Sequence, residues 1–510
     1  MLRRVPLALL AGLLLSLAYE PVAIAYLMPV AVAGFALATR GLRSRQGFLV
    51  GLAFGVAFYY VHIWWMKSSI GIGPWAGLAG IEAVFYGLVG AASPVLQRLR
   101  AWPFWLAGAW TTSEIVRSEW PFSGMPWGRL GFGVVDTPVA SALAYGGING
   151  VSFLVAAFGF LLARLVLAAR SPGDERQLAL GGVVLVAAVS LVPAVAPITL
   201  ATSGSVTIAV VQGDVPAPAN DILVDPRRVT QNHVDATVDL ADEVAAGTTP
   251  RPDFVLWPEN STAIDPFDDV STNAQIEQAV AAIQVPILVG VIVDAGEDHV
   301  LNQGIVWEPL VGAGERYTKR HPVAFGEYIP FRDQLSGLFA QLDRIPRDML
   351  SGTRREPLRV AGVDLANSIC FDIAYDDGLA DQIERGADLL TVQTSNASFI
   401  FTDQIEQQFA MTRARAIESG RAVAVASTNG ISGVIGPDGD VLERTDRMTR
   451  DVLVQTVDLK TGLTPGTRVS WAFRVVSPAV LMVGLLLGFA AYRRSDWRDD
   501  RGRHASQPAA

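Results

Sequence analysis

Apolar and polar positions alternate on two different scales along this chain. Before about residue 200, and again after 470, apolar residues form long runs separated by short loops: 5–18, 22–38, 48–65, 75–96, 102–116, 147–163, 178–198 and 475–492. A helix rising ~1.5 Å per residue needs roughly 20 residues to cross a ~30 Å hydrocarbon core, and about 17 suffice with tilt or neighbours. The pattern predicts about eight transmembrane helices, seven within 1–202 and the eighth over 469–494. The first two runs are short and, read alone, look like a signal peptide or one long helix. Arg3 and Arg4 precede them, and Arg40, Arg43 and Arg45 follow. Basic clusters held on one side of a membrane require an even number of crossings between them, so the pair reads as a membrane hairpin.

Between these runs, 203–468 changes character. Short β-branched stretches at 205–212, 253–257, 285–293, 363–370, 388–394 and 421–427 read as buried strands. Helical apolar spacing appears at 228–246, 272–283 and 405–419. A hairpin is expected where SGVIG and VLERT flank a Pro-Asp-Gly turn. The segment 332–353 is weakly patterned and reads as a long loop. Strands alternating with helices give an α/β domain whose helices cover sheet faces.

Charge separates the same two regions. The 203–468 segment carries 39 acidic and 21 basic residues, a net −18, and the remainder carries +9, together the −9 of the whole 510-residue chain. Fifteen basic residues fall in loops and tails on one side of the expected helices, and only Lys67, Arg117, Arg129 and Arg474 on the other. That bias puts both termini in the cytoplasm and the acidic domain outside it. Trp64, Trp65, Trp75, Trp102, Trp120 and Trp127 sit near run ends, where interfacial anchoring is favourable. The Gly- and Pro-rich stretch 120–133 reads as an ordered outer loop rather than a span. With 51% hydrophobic and 17% charged residues the chain is neither disordered nor plainly soluble. A net negative charge speaks against nucleic-acid binding. One cysteine, Cys370, excludes an intrachain disulfide and a Cys-rich metal cluster.

Three segments of the acidic region carry reactive groups. In VLWPENS, Glu259 follows a buried strand; YTKRHPVAFGEYIP holds Lys319 and Glu327; NSICFD ends another strand at Cys370. Ligands in α/β folds bind beyond the carboxyl ends of strands, so Glu259 and Cys370 converge there although 111 positions apart. A thiol is mostly protonated at neutral pH, and a buried carboxylate of raised pKa is a fitting base for it. An ammonium nearby stabilises a thiolate and then an oxyanion, and the backbone N–H of Phe371 is placed in sequence as a second oxyanion donor. Taken singly, each group has an ordinary reading: an inert buried thiol, a strand-end carboxylate, a solvated lysine.

Taken together, the segments resemble the nitrilase (carbon–nitrogen hydrolase) superfamily. With the membrane runs, the chain resembles the apolipoprotein N-acyltransferase family over nearly its whole length. The resemblance is carried by GMPWGRLGFG, WPEN, YTKRHPVAFGEYIP, SICFD, TSNASF, QQFAMTRARAIESGR and STNGISGVIGPDG. It implies an αββα sandwich over 203–468, with a polar cytoplasmic tail over 495–510. It implies Glu259 as general base, Lys319 as oxyanion-stabilising lysine and Cys370 as nucleophile. Glu327 is similar to a second glutamate that orients the lysine or the acyl-transfer proton. Two positions depart from the family pattern. The cysteine is followed by Phe371-Asp372 where Tyr-Glu is common, and 395–399 reads SNASF, without the family's tryptophan.

The implied reaction moves a fatty acyl chain from a membrane phospholipid, through a cysteine thioester, to the N-terminal amine of a diacylglyceryl-cysteine lipoprotein. It needs no metal or organic cofactor and takes place at a bacterial cytoplasmic membrane. Three other readings stand beside it. A membrane-tethered nitrilase-type amidase would use water as acceptor. A Cys–His dyad would recruit His321 as base. A transporter or scaffold would use ionisable groups within its spans, of which Glu82, Glu114 and His62 are the candidates; in an enzyme these belong in interhelical hydrogen bonds or at rims.

Overall fold

The computed structural model describes residues 3–169, 173–216, 221–335 and 345–505. The chain divides into two compact units, one of Met1–Trp64, Trp75–Ala196 and Val469–Ala510, the other of Trp65–Pro74 and Pro197–Arg468.

All eight apolar runs are helices: α1 (Arg4–Ser16), α2 (Leu27–Thr39), α3 (Ser44–His62), α5 (Ile72–Leu96), α6 (Trp102–Arg117), α7 (Leu143–Ala168), α8 (Gly173–Val195) and α14 (Pro465–Ala505). A short α4 (Met66–Ile70) lies between α3 and α5. Among the described residues, four helical stretches are long and apolar enough to cross a membrane: Ile72–Leu96, Ala140–Ala168, Gly173–Val195 and Pro465–Ala491. The 13 residues of α1 and of α2 rise only about 20 Å. The α14 backbone runs on through most of the basic tail, and the remainder of that tail, 506–510, lies outside the described residues. Gly47 and Gly51 let α3 approach α5 closely: a Cβ there would come within 2.2 Å of the Gly90 carbonyl and 2.3 Å of the Tyr86 carbonyl, the small-residue contact that drives helix association in lipid.

The 120–133 stretch is a loop, as its composition requires, and its carbonyls are claimed by buried side chains. Arg117 Nη1 donates to Met125 O (2.8 Å) and Trp127 O (2.7 Å), and the Tyr59 and Tyr19 hydroxyls to Trp127 O and Gly128 O (3.1 Å each). Leu130 N donates to Glu114 Oε1 (3.0 Å), and Arg117 pairs with Glu82 of α5 at 3.3 Å. Glu82 and Glu114 thus make hydrogen bonds between elements. Of the six tryptophans read as interfacial anchors, Trp64 and Trp120 are exposed, whereas Trp65, Trp75, Trp102 and Trp127 are buried. Packing claims those four because their rings fit close-packed neighbours.

The second unit contains two sheets. One runs β13 (Asp451–Thr461), β1 (Ala201–Gln212), β2 (Phe254–Leu256), β3 (Ile287–Asp294), β4 (His299–Glu308), β5 (Gly312–Thr318), with β6 (Asp348–Met349) beside β4. The other runs β12 (Val441–Arg444), β11 (Gly433–Ile435), β10 (Val423–Ser427), β9 (Leu389–Thr394), β8 (Val363–Ile369), β7 (Leu358–Val360). At the heart of each sheet three strands are parallel: β1, β2 and β3 in the first, β8, β9 and β10 in the second. Parallel strands buried on both faces read as continuous apolar runs, which is why these six were visible in sequence. Side chains alternate across each strand. From β1, Ile208 and Val210 enter a core shared with Leu365 and Ala424 of the other sheet. Ala209 and Val211 face α9 (Pro226–Ala245) and α10 (Val270–Ile283) instead. On the far side, Leu390 and Val423 pack under α12 (Asp377–Glu384) and α13 (Gln404–Ser419). Four layers result, helix, sheet, sheet, helix.

Strands β4, β5, β7 and β13 and helix α12 leave no clear pattern in the sequence. Asn302 and Gln303 interrupt the apolar pattern of β4, and β5 (GAGERYT) is an edge strand with little to bury. The 332–353 loop is broken by α11 (Arg332–Leu335) and β6; its 336–344 portion lies outside the described residues. A buried ion pair is costly to break because the partner is left charged and unanswered. Glu82→Ala should therefore lower the unfolding free energy of the detergent-solubilised protein by about 3–5 kcal/mol, read as a fall in thermal midpoint. An unchanged midpoint would show that the pair does not hold the loop.

Candidate active site

Two parallel strands, one from each sheet, end at the candidate residues. Past β2, Glu259 is buried and fixed from several sides. Its Oε1 accepts from Asn302 Nδ2 (2.7 Å) and Lys319 Nζ (3.1 Å), and its Oε2 from the Ser395 N–H (2.9 Å). The Thr428 hydroxyl donates to its main-chain carbonyl (3.0 Å). Asn302 and Lys319 come from the first sheet, Ser395 and Thr428 from the second, so the carboxylate is located by both. Beneath it the sheets are linked by polar groups. Gln393 Nε2 donates to Trp257 O (2.8 Å), and its Oε1 accepts from Asn367 Nδ2 (3.0 Å). Gly304 leaves room for this bridge, since a Cβ there would lie 2.2 Å from Gln393 Oε1.

Lys319 is the first residue past β5. Its N–H donates to Asn302 O (2.9 Å). Its ammonium is buried between Glu259 and Glu327, donating to Glu327 Oε1 at 2.6 Å. Glu327 is held in turn by the Val323 N–H on Oε2 (2.8 Å). Cys370 directly follows β8 and opens a 3₁₀ turn, Cys370–Ala374, with φ 52°. A non-glycine residue in the left-handed region costs on the order of 1 kcal/mol, and such outliers cluster at functional sites. Gln408 Nε2 donates to the Cys370 carbonyl (3.3 Å) and to the Thr394 hydroxyl (3.2 Å). Phe371 follows within the same turn, its ring 5.3 Å from that of Tyr375.

The four ionisable groups act on one another. Burial pushes the Cys370 thiol well above its ordinary value; Glu259 and Glu327 add to this, and Lys319 opposes it. Burial alone would lower Lys319, but Glu259 and Glu327 outweigh it and hold the ammonium charged. Burial raises Glu327, as does Glu259, against the pull of Lys319. The cluster therefore favours a thiol in the resting state.

Asp372, noted in sequence only as a departure, ties the lysine segment to the cysteine turn. Its Oδ2 accepts from the Tyr317 hydroxyl (3.0 Å) and the Arg320 N–H (3.2 Å), its Oδ1 from the His321 N–H (2.8 Å). Asn302 was likewise missed, hidden by its place inside a strand. His321 is committed elsewhere: Nε2 lies 2.8 Å from Asp377 Oδ1, and the ring stacks on Tyr375 at 3.8 Å. Segment 395–399 has no tryptophan of its own, yet the Trp65 ring packs on Phe399 at 5.4 Å. Asp265, Asp268 and Asp294 also gather, but Asp294 is paired with Arg347 and Asp265 accepts two backbone N–H groups.

Removing Asp372 leaves the Tyr317 hydroxyl and three backbone donors, the Arg320, His321 and Ile369 N–H groups, without their acceptor, and unsatisfied buried groups cost about 1–3 kcal/mol each. Asp372→Ala should destabilise the protein by roughly 3 kcal/mol in denaturant titration, and Asp372→Asn by less. Equal stability of Asp372→Ala and wild type would contradict this tie.

A two-sheet sandwich with Glu259, Lys319 and Cys370 gathered at strand ends defines a nitrilase-type domain, and the carbon–nitrogen hydrolase family profile matches residues 207–462. The profile of the apolipoprotein N-acyltransferase N-terminal domain matches residues 11–161. An apolipoprotein N-acyltransferase from Mycolicibacterium smegmatis is 36% identical over 90% of this chain and 80% of its own length. Another from Azotobacter vinelandii is 30% identical over 96% and 95%. Among solved structures, an amidase from Nesterenkonia sp. is similar over 51% of this chain and 92% of its own, at 17% identity and a TM-score of 0.37. The chain belongs to the apolipoprotein N-acyltransferase family, and is an acyltransferase on a nitrilase-type scaffold.

Proposed function

We propose that Cys370 carries a fatty acyl group from a membrane phospholipid to the N-terminal amine of a diacylglyceryl-cysteine lipoprotein. The observation that carries this reading is the buried Glu259–Lys319–Glu327 contact beside Cys370, with Lys319 Nζ 3.1 and 2.6 Å from the two carboxylates. In the first step Glu259 takes the thiol proton as sulfur attacks the ester carbonyl. Lys319 Nζ and the Phe371 N–H stabilise the oxyanion. Collapse breaks the ester C–O bond, the proton passes from Glu259 to the leaving oxygen, and a lysophospholipid departs from a Cys370 thioester. In the second step the lipoprotein amine attacks the thioester, Glu259 takes an amine proton and returns it to sulfur, and an amide is released. A free α-amine, with a pKa of about 7.7–8.0, is within reach of such a base. Glu327 orients the ammonium throughout.

The membrane helices fit this chemistry. Drawing a chain of roughly fourteen carbons into water costs on the order of 10 kcal/mol, at ~0.8 kcal/mol per CH₂, so transfer without leaving lipid is favoured. The loop charges support a reading of eight crossings with both termini cytoplasmic, in which the 203–468 domain lies on the outer face of a bacterial cytoplasmic membrane.

Purified enzyme mixed with labelled phospholipid should yield a hydroxylamine-labile acyl adduct on the Cys370 peptide by mass spectrometry. Adding a lipopeptide with a free N-terminal amine should convert it to amide. Fatty acid released at one rate with and without lipopeptide, and no amide, would instead assign an amidase that uses water.

A further inference from the structure

Trp65 leaves α3 and is followed by α4, and the Trp65–Pro74 segment belongs to the same compact unit as the 395–408 region. It is buried, with its ring edge-on to Phe399 at 5.4 Å and 84°. Its Nε1–H donates to Gln407 Oε1 at 3.0 Å, and four residues on the Ser69 hydroxyl donates to Ser398 O at 2.9 Å. The structure touched by these three contacts is the same one that holds the reacting groups. Ser395 N–H binds Glu259 Oε2, and Asn396, at φ 58°, ties the turn to Gln404 and Gln408. Gln408, adjacent to Gln407 on α13, donates to the Cys370 carbonyl and to Thr394. Trp65 therefore grips both ends of a block whose other side locates the base and the nucleophile.

We propose that Trp65 is a positioning residue for acyl transfer, with α4 acting as a strap that fixes the 395–399 turn and, through the Ser395 N–H, the Glu259 carboxylate. This rests on the acyl-transfer reading only for its kinetic consequence. The lever is geometric: misplacing a catalytic group by ~1 Å costs up to about 100-fold in rate. Lys319, Glu327 and the Cys370 thiol face Glu259 from other elements, and the strap acts on the carboxylate from the Ser395 side.

The test uses full-length protein and two readouts. In hydrogen exchange followed by mass spectrometry, Trp65→Ala should speed exchange of the peptide covering 395–399 while the β2 peptide stays protected. In Cys370 acylation from labelled phospholipid, Trp65→Ala should lose about tenfold in kcat with KM within about twofold. Trp65→Phe, which keeps the ring contact and loses the indole N–H, should lie between. Gln407→Leu should show at least the same loss, and combining it with Trp65→Phe should be no worse than Gln407→Leu alone, since both break the same bond. If Trp65→Ala cannot be purified folded, the Trp65→Phe and Gln407→Leu pair decides the matter. Unchanged exchange at 395–399, unchanged kcat, a change confined to KM, or additive losses in the double variant would each overturn the proposal. If wild-type enzyme forms no acyl adduct, the acyl-transfer reading fails, while exchange at 395–399 still decides whether the strap exists.

Discussion

Burying an ammonium in contact with two carboxylates is costly unless their charges and hydrogen bonds close on one another. Here Lys319 bonds to both Glu259 and Glu327, Asn302 and the Ser395 N–H take further lone pairs of Glu259, and the Val323 N–H takes the outer oxygen of Glu327. That closure buries the ammonium and the Glu259 carboxylate, with Glu327 partly exposed at the edge of the trio. A thiolate beside the two carboxylates is disfavoured, and in the proposed reaction the Cys370 proton leaves as a carbonyl arrives to take up the sulfur electrons. In the proposed reaction the base, the oxyanion-stabilising ammonium and the protonation state of the nucleophile all depend on this one contact.

Such a cluster tolerates little movement, and the sandwich supplies the stiffness. Both reacting strands are central and parallel, and are flanked on both faces by apolar layers. The Gln393 bridge to Trp257 O sets one sheet against the other just below the site. Asp372 then joins the lysine segment to the cysteine turn, two stretches far apart in sequence. The side chains doing this are polar and buried, an arrangement that stabilises only when every partner is satisfied.

The sequence makes the central strands and three of the four covering helices, α9, α10 and α13, legible because burial on both faces, and periodicity on one, leave clear patterns. Glu259 and Cys370 stand out for the same reason: each interrupts an apolar strand at its carboxyl end. Asn302 is hidden because a polar residue within β4 looks like evidence against a strand. Asp372 is hidden because hydrogen bonds to backbone N–H groups depend on where distant segments pass, which no local pattern encodes. Trp65 is misread for a related reason. Its position at a run end suits an interface, and only the tertiary contact with Phe399 and Gln407 reveals its partner.

The most direct test of the cluster is the pH dependence of Cys370 alkylation by iodoacetamide in the resting full-length enzyme. A thiol raised by burial and by two carboxylates loses its proton only at alkaline pH. The alkylation rate should still be climbing above about pH 9, beyond an ordinary thiol of pKa ~8.5. A rate already level at neutral pH would mean a preformed thiolate, and would contradict the account.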